Sequence, residues 1–470
     1  FSLFAKPYAL KDIVDFNNIE GVLVGYQNST IAQQKAGELI FGALAAKGRL
    51  PVSAHEEFPV NSGEFLPSLR RLGYSMPEGV GMDRYKLARV DSLVQIGLDS
   101  LMFPGAQVLV ARKGKVIYNK GFGRPTYTSE RMVDEDYLYD LASLTKILAT
   151  LPIIMKMEEE GQIGLNTTFG ELIPSYADSE LKDVTVLKAL SHYGRLPAWI
   201  AFYLSTLNKK RKPSPEFYRN RPADGFSIKV TEGMYLTDAY KDSIYDRIGR
   251  QELKSNRYRY SDVAYYVLKH YIENTYDRGL DELANEFLFK PLGTNYTMFN
   301  PLNVLPKNRI APTEIDNYYR YQVVRGYVHD MGAAMQGGVG GHAGLFSNAN
   351  DVAKIMQMYL QGGYYGGVRF LNSRTVEKFN KCYFCHKNVR RGVGFDKPQL
   401  VEKGPTCGCT SHRSFGHSGF TGTYTWADPD AEIVYVFLSN RTFPSSTNRL
   451  LVKSELRTRI QRAIYDAIVE

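Results

Sequence analysis

Two β-hairpin patterns stand far apart along the chain with mostly helical stretches between them, and this arrangement restricts the fold more than any other feature of the sequence. Gln107-Val108-Leu109-Val110-Ala111-Arg112 and Lys115-Val116-Ile117-Tyr118 flank Lys113-Gly114, where glycine supplies the positive φ of a tight turn. Near the other end, Gly422 to Ala427 and Glu432 to Leu438 flank Asp428-Pro429-Asp430 in the same way. Strands at both ends with helices in the middle predict an α+β unit over residues 85–470. One antiparallel sheet, completed by both ends of the unit and flanked by helices, would carry an inserted helical region.

Ahead of this unit, residues 1–60 read as a small partial α/β domain. Gly21-Val22-Leu23-Val24-Gly25-Tyr26 suits a buried strand, and Asn28-Ser29-Thr30 offers capping side chains for a helix from about Ile31 to Leu44. Residues 61–84 contain Ser62, Gly63, Pro67, Gly73, Pro77 and Gly79 and read as a linker. The first residues already look like the interior of a folded unit, which leads us to expect a longer parent polypeptide.

Charge and hydropathy exclude some classes. The net charge of +9 is spread over 470 residues without a long block of one sign, so no nucleic-acid partner is expected. The densest basic run, Lys209-Lys210-Arg211-Lys212, is followed by Pro213, Pro215 and Pro222 and suits a solvated loop. No apolar run approaches the roughly 18 residues of a transmembrane helix. The opening residues lack the charged, apolar and small succession of a secretion signal.

Three short motifs could carry chemistry. Ser143-Leu144-Thr145-Lys146 precedes the apolar stretch Ile147 to Met155, and a helix starting near Ser143 would put Lys146 on the same face as the hydroxyl. A serine is a poor nucleophile until a base takes its proton. Lys146 can be that base if burial or a nearby cation lowers its pKa, and Tyr260 of Tyr260-Ser261-Asp262 offers a second route. Ser143 capping a helix with Lys146 at the surface is the plain alternative. His417-Ser418-Gly419 precedes Phe420 at a strand entrance, so the backbone amides of Ser143 and Phe420 are the expected oxyanion hole. Decoys exist: Ser179-Glu180-Leu181-Lys182 repeats the first spacing, and His192-Tyr193-Gly194 and His342-Ala343-Gly344 repeat the third.

All four cysteines fall in one stretch, as Cys382-Tyr383-Phe384-Cys385 and Cys407-Gly408-Cys409. Two close pairs suit a structural four-thiolate zinc site, a pair of disulfides, or free buried thiols. No His-Glu-x-x-His or comparable cluster suggests a catalytic metal, and no cofactor is expected for catalysis.

In the order Ser143-x-x-Lys146, Tyr260-Ser261-Asp262, His417-Ser418-Gly419, residues from about 85 to 470 resemble the class C β-lactamase and penicillin-binding serine hydrolase family. Val184 to Leu187, Leu190-Ser191-His192, Lys290-Pro291-Leu292-Gly293, Gly341 to Leu345 and Ser439-Asn440-Arg441 support the resemblance. It implies a β-lactamase/DD-peptidase-like fold and a serine acyl hydrolase working through an acyl-enzyme. Ser143, Lys146 and Tyr260 would be catalytic, and Asp262, His417, Ser418, Gly419 and Phe420 would bind substrate. The family's tyrosine motif usually ends in asparagine, whereas Asp262 when ionised can only accept hydrogen bonds and could pair with Lys146. His417 stands where β-lactamases carry a lysine, which argues against efficient β-lactam hydrolysis.

The first 65 residues or so, chiefly Gly21 to Gln27 and Gly48-Arg49-Leu50-Pro51-Val52-Ser53, resemble the tail of family 3 glycoside hydrolases of the β-N-acetylglucosaminidase type. The resemblance implies an upstream glycosidase domain absent from this chain. It also implies a periplasmic setting, with a small-molecule or peptide substrate from the cell wall cleaved by an amidase or peptidase. A silent cell-wall peptide-binding module and an esterase or weak β-lactamase are the alternatives. An α/β-hydrolase is disfavoured because no Gly-x-Ser-x-Gly is present.

Overall fold

The computed structural model describes residues 2–400 and 404–469. At its start, β1 (Ser2–Phe4) pairs in parallel with β2 (Val22–Val24), and the Ser29 hydroxyl caps α1 (Thr30–Ile40) by accepting from the Ala32 amide at 3.2 Å. The helix stops short of Leu44 because Gly42, at φ +81°, turns the chain with Leu69 packed where a side chain would stand. Leu10, Leu50 and Ala54 with Phe4, Val22, Val24 and Phe58 form the small core of this α/β fragment.

Within the stretch read as a linker, β3 (Gly73–Tyr74) forms an edge strand, and Val80 and Met82 are buried in the core beyond it. Then come α2 (Arg89–Asp99), β4 (Gly105–Arg112) and β5 (Lys115–Gly123). The turn between β4 and β5 has Lys113 and Gly114 at φ +50° and +71°, the geometry expected of a two-residue hairpin. The helical region includes α3 (Leu151–Glu159), α4 (Val263–Tyr276) and α5 (Ala349–Leu360). The chain returns to the sheet as β6 (Phe415–Ser418), β7 (Tyr424–Asp428) and β8 (Ile433–Ser439) and ends on α6 (Leu456–Asp466).

The six strands lie in the order β6-β7-β8-β4-β5-β3. The pairing of β8 with β4, running from Ile433 opposite Arg112 to Ser439 opposite Ala106, joins the two ends of the unit. One correction applies to the expected antiparallel sheet: β3 runs parallel to β5, so the sheet is mixed at that edge.

Both faces of the sheet are covered, which explains why its central strands are apolar throughout rather than alternating. Val108, Val110, Tyr435 and Phe437 face α2 and α6, whereas Leu109, Ala111, Val434, Val436 and Leu438 face the helical region. The unit is therefore helix, sheet and helical region in layers, the α+β arrangement that the resemblance implies. The cleft described below opens where the helical region meets β6.

Candidate active site

The serine is held by a turn that the surroundings fix on several sides. Buried Asp140 accepts from the Ala142 amide at 2.8 Å and from the His329 amide at 2.6 Å, and Thr421 and Thr423 donate to the carbonyls of Asp140 and Leu141 at 2.7 and 2.9 Å. Ala142 takes φ +47°, an uncommon conformation for a residue with a side chain, and Ser143 follows in a short 3₁₀ turn. A π-type turn over Lys146–Thr150 then feeds α3, so the expected helix is broken instead of running straight from Ser143.

Lys146 Nζ and Tyr260 Oη each lie 2.9 Å from Ser143 Oγ. Lys146 is wholly buried, which discards a surface lysine, and also donates to the His342 carbonyl at 3.0 Å. Its Nζ is 2.7 Å from Asp262 Oδ1, the pairing that an ionised aspartate at this position allows. Burial by itself favours the neutral amine, but the charges of Asp262 and Tyr260 outweigh it and hold the ammonium above the ordinary lysine range. The expected downward shift of the Lys146 pKa is thus reversed, because the neighbouring charge is an anion and not a cation. Burial also pushes the Tyr260 phenol up; Lys146 opposes this, Asp262 adds to it, and the net direction is upward.

His417, on β6, is buried at the far wall. Burial first, then the positive charges of Arg391 and Lys146, hold its ring well below the usual histidine range. It is neutral, with its Nδ1 2.8 Å from the Ser418 carbonyl. At Gly419 an added Cβ would collide with Thr423 Oγ1 and come within 2.5 Å of the Leu141 carbonyl, so a larger residue forces a shift. The missing side chain thus leaves room for the turn that holds the serine. Phe420 follows, 54% exposed, on the rim of the cleft.

Ser143, Tyr260, Asp262, His417, Ser418, Gly419 and Phe420 line one cleft of 890 Å³, and Lys146 lies under its floor. Two histidines set aside as decoys belong to the same assembly. His192 accepts from the Ser261 amide at 3.2 Å and packs its ring 4.4 Å from that of Tyr260, while His342 supplies the carbonyl to Lys146 and meets Asp330 at 2.7 Å. Their place in the supporting stretches was the available signal. Arg390 and Arg391, which reach the cleft from the cysteine-bearing stretch, carried none. The remaining decoy, Ser179-Glu180-Leu181-Lys182, lies away from the cleft; its serine hydroxyl donates to the Tyr176 carbonyl at 2.8 Å.

Of the arrangements open to the cysteines, the structure takes the pair of disulfides. Cys382 is bonded to Cys385 and Cys407 to Cys409, so the four thiolates do not converge on a zinc site. Among the described residues no group of three or more histidines, cysteines, aspartates or glutamates is placed to hold a metal ion. Each doublet is close enough to close on itself, and the segment between them carries them to separate places: Phe384 packs on Tyr193, and the Cys407 amide donates to Gln461 of α6. Pro405, close to the second disulfide, lines the cleft.

Residues 90–455 match the sequence model of a family described as Beta-lactamase. The chain is 31% identical over 393 residues to an Escherichia coli (strain K12) protein named "Putative D-alanyl-D-alanine carboxypeptidase", covering 78% of this chain and 85% of that one. Among solved structures, EstCE1, a hydrolase with promiscuous acyltransferase activity, matches with a TM-score of 0.59 at 20% identity, over 81% of this chain and 99% of that one. The octameric penicillin-binding protein homologue from Pyrococcus abyssi matches with a TM-score of 0.56 at 19% identity, over 79% of this chain and 77% of that one.

Proposed function

This chain belongs to the Beta-lactamase family and is a serine hydrolase of it, and on that premise we propose that it opens an amide or ester bond in cell-wall peptide fragments through an acyl-enzyme on Ser143. The observation that carries the reading is the pair of 2.9 Å contacts from Ser143 Oγ to Lys146 Nζ and Tyr260 Oη. Ser143 attacks the carbonyl carbon while Tyr260 takes its proton, with the Lys146 ammonium stabilising the phenolate that this requires. The amides of Ser143 and Phe420 receive the oxyanion, each such donor contributing about 3 kcal/mol to the transition state. Tyr260 then returns the proton to the departing nitrogen or oxygen, and a water repeats the sequence to release the acid.

At rest both Lys146 and Tyr260 hold their protons, because each is shifted upward. The reactive form is one proton poorer, so turnover rises toward alkaline pH. The carboxypeptidase name of the E. coli relative supports a peptide substrate. Two disulfides favour an oxidising, extracytoplasmic setting.

Hydrolysis of a 4-nitrophenyl ester, labelling of Ser143 by a fluorophosphonate, and a muropeptide screen read by product mass test this together. Wild type should turn over the ester and at least one muropeptide, and Ser143→Ala neither. Ester turnover equal in Ser143→Ala would refute the serine mechanism. Folded wild type without turnover or label would leave a binding module.

A further inference from the structure

Among the described residues three lysines are buried, Lys146, Lys269 and Lys397. Lys146 faces Asp262 at 2.7 Å and Lys269 faces Glu273 at 2.8 Å, whereas Lys397 forms no ion pair with any described residue. The acids whose charge reaches it, Asp428 and Asp396, are engaged elsewhere: Asp428 accepts from the Ser411 and Tyr465 hydroxyls, each at 2.6 Å, and Asp396 pairs with Arg390 and Arg391.

Lys397 Nζ donates to Asn380 Oδ1 at 2.7 Å and to the Arg413 carbonyl at 3.2 Å. The Asn380 amide is fixed that way round because its Nδ2 donates to the same carbonyl at 2.8 Å. An ammonium carries three N–H donors, whereas a neutral amine carries two and a lone pair. The two acceptors satisfy the neutral form in full and leave the ammonium one donor short. Burial, opposed by Asp428 and Asp396 and reinforced by Arg413, pushes the amine down to about 7.

The amine borders a cavity of 650 Å³ between the end of α5, a helix over Ser373–Asn380 and the start of β6. None of the residues lining it lines the catalytic cleft. Exposed Glu377, Lys381, His412 and Arg413 open it to solvent, and Leu360 and Phe415 give it an apolar side. A desolvated lysine beside a cation, without a counter-ion, is the form of this side chain that attacks carbonyl compounds.

We propose that Lys397 and this cavity form a second reactive site, which captures aliphatic aldehydes as imines. The nitrogen lone pair attacks the aldehyde carbon and forms the C–N bond while the C–O bond breaks. Both amine protons leave with that oxygen as water, so no oxidant or reductant is consumed. Asn380 and Arg413 hold the nitrogen until the aldehyde arrives, and Leu360 and Phe415 receive its alkyl chain. The site is independent of the acyl-hydrolase reading, because Lys146, held charged by Asp262, has no lone pair to offer.

Butanal with cyanoborohydride, which reduces an imine once formed, marks each reacting lysine with a butyl group, and peptide masses give relative rates within one sample. At about pH 7 Lys397 should be marked about 10-fold faster than exposed Lys209 and Lys453, because ordinary lysines, with a pKa of about 10.4, are almost wholly protonated there. The advantage should shrink toward about pH 10.5, where ordinary lysines also lose their protons. It should vanish in denaturant, which removes the burial. Asn380→Asp supplies the missing carboxylate and should slow the marking of Lys397 at least about 10-fold at the same pH while leaving Lys209 unchanged. Folded wild type whose Lys397 is marked no faster than Lys209 overturns the proposal, as does an advantage that survives denaturation or that folded Asn380→Asp leaves untouched. Should that variant fail to fold, the wild-type ratio with and without denaturant decides.

Discussion

Asp262 Oδ1 lies 2.7 Å from Lys146 Nζ, so the buried ammonium beside the serine has its own counter-ion. The carboxylate raises the pKa of Lys146 and adds to the upward shift of Tyr260. Asp262→Asn removes that charge while leaving the burial, and both groups then lose a proton more readily. The alkaline rise in kcat/KM should move to lower pH by about 1 unit. A profile unchanged from wild type, measured with a neutral ester from about pH 7 to about 11, past the ordinary tyrosine and lysine values of about 10, would separate Asp262 from the proton transfer.

Tyr260→Phe keeps the ring against His192 and removes only the hydroxyl that reaches Ser143. The expected loss in kcat is about 10²- to 10⁴-fold, with a thermal midpoint within a few degrees of wild type. Stopped-flow acylation by a nitrophenyl ester checks it, and a loss below about threefold would leave Lys146 as the sole proton carrier.

Gly419→Ala should be costly at a position where most of the surrounding strand tolerates side chains. The new methyl meets Thr423 Oγ1 and the Leu141 carbonyl, so either β6 or the serine turn must shift. A loss of about 1–3 kcal/mol in stability is expected from overpacking. Displacement of the Phe420 amide should lower kcat by about 10²-fold. Denaturant melts and ester kinetics read the two effects separately.

The cysteines distinguish two chemistries by a simple treatment. With Cys382–Cys385 and Cys407–Cys409 bonded, a zinc chelator should leave the thermal midpoint unchanged and a phosphine reductant should lower it. Each disulfide closes a very short loop, so its contribution is about 2 kcal/mol or less in the chain-entropy account. Stoichiometric zinc in the purified protein, or a chelator that lowers the midpoint, would restore the four-thiolate arrangement.

Much of the architecture was legible because its signals are local. Lys113-Gly114 marked one hairpin through the φ values that its turn demands, and Asp428-Pro429-Asp430 marked the other between two strand-like runs. The two-residue strand Gly73–Tyr74 was not legible, since so short a segment has no periodicity and pairs only because β5 presents a free edge. Among the site residues, the serine, lysine and tyrosine were found by their motifs. Arg390 and Arg391 were not, because nothing in their spacing marks a shared wall.

By itself the sequence determined where the two hairpins lie and which side chains are available, since turn chemistry acts between near neighbours. Tertiary structure alone decided their protonation. Lys146 and Asp262 stand 116 positions apart, and whether a buried amine is held charged depends on the distance to that carboxylate and the loss of water around both. Coulomb energy and desolvation are functions of position in space, so the reversal of the lysine shift appears only once the chain has folded.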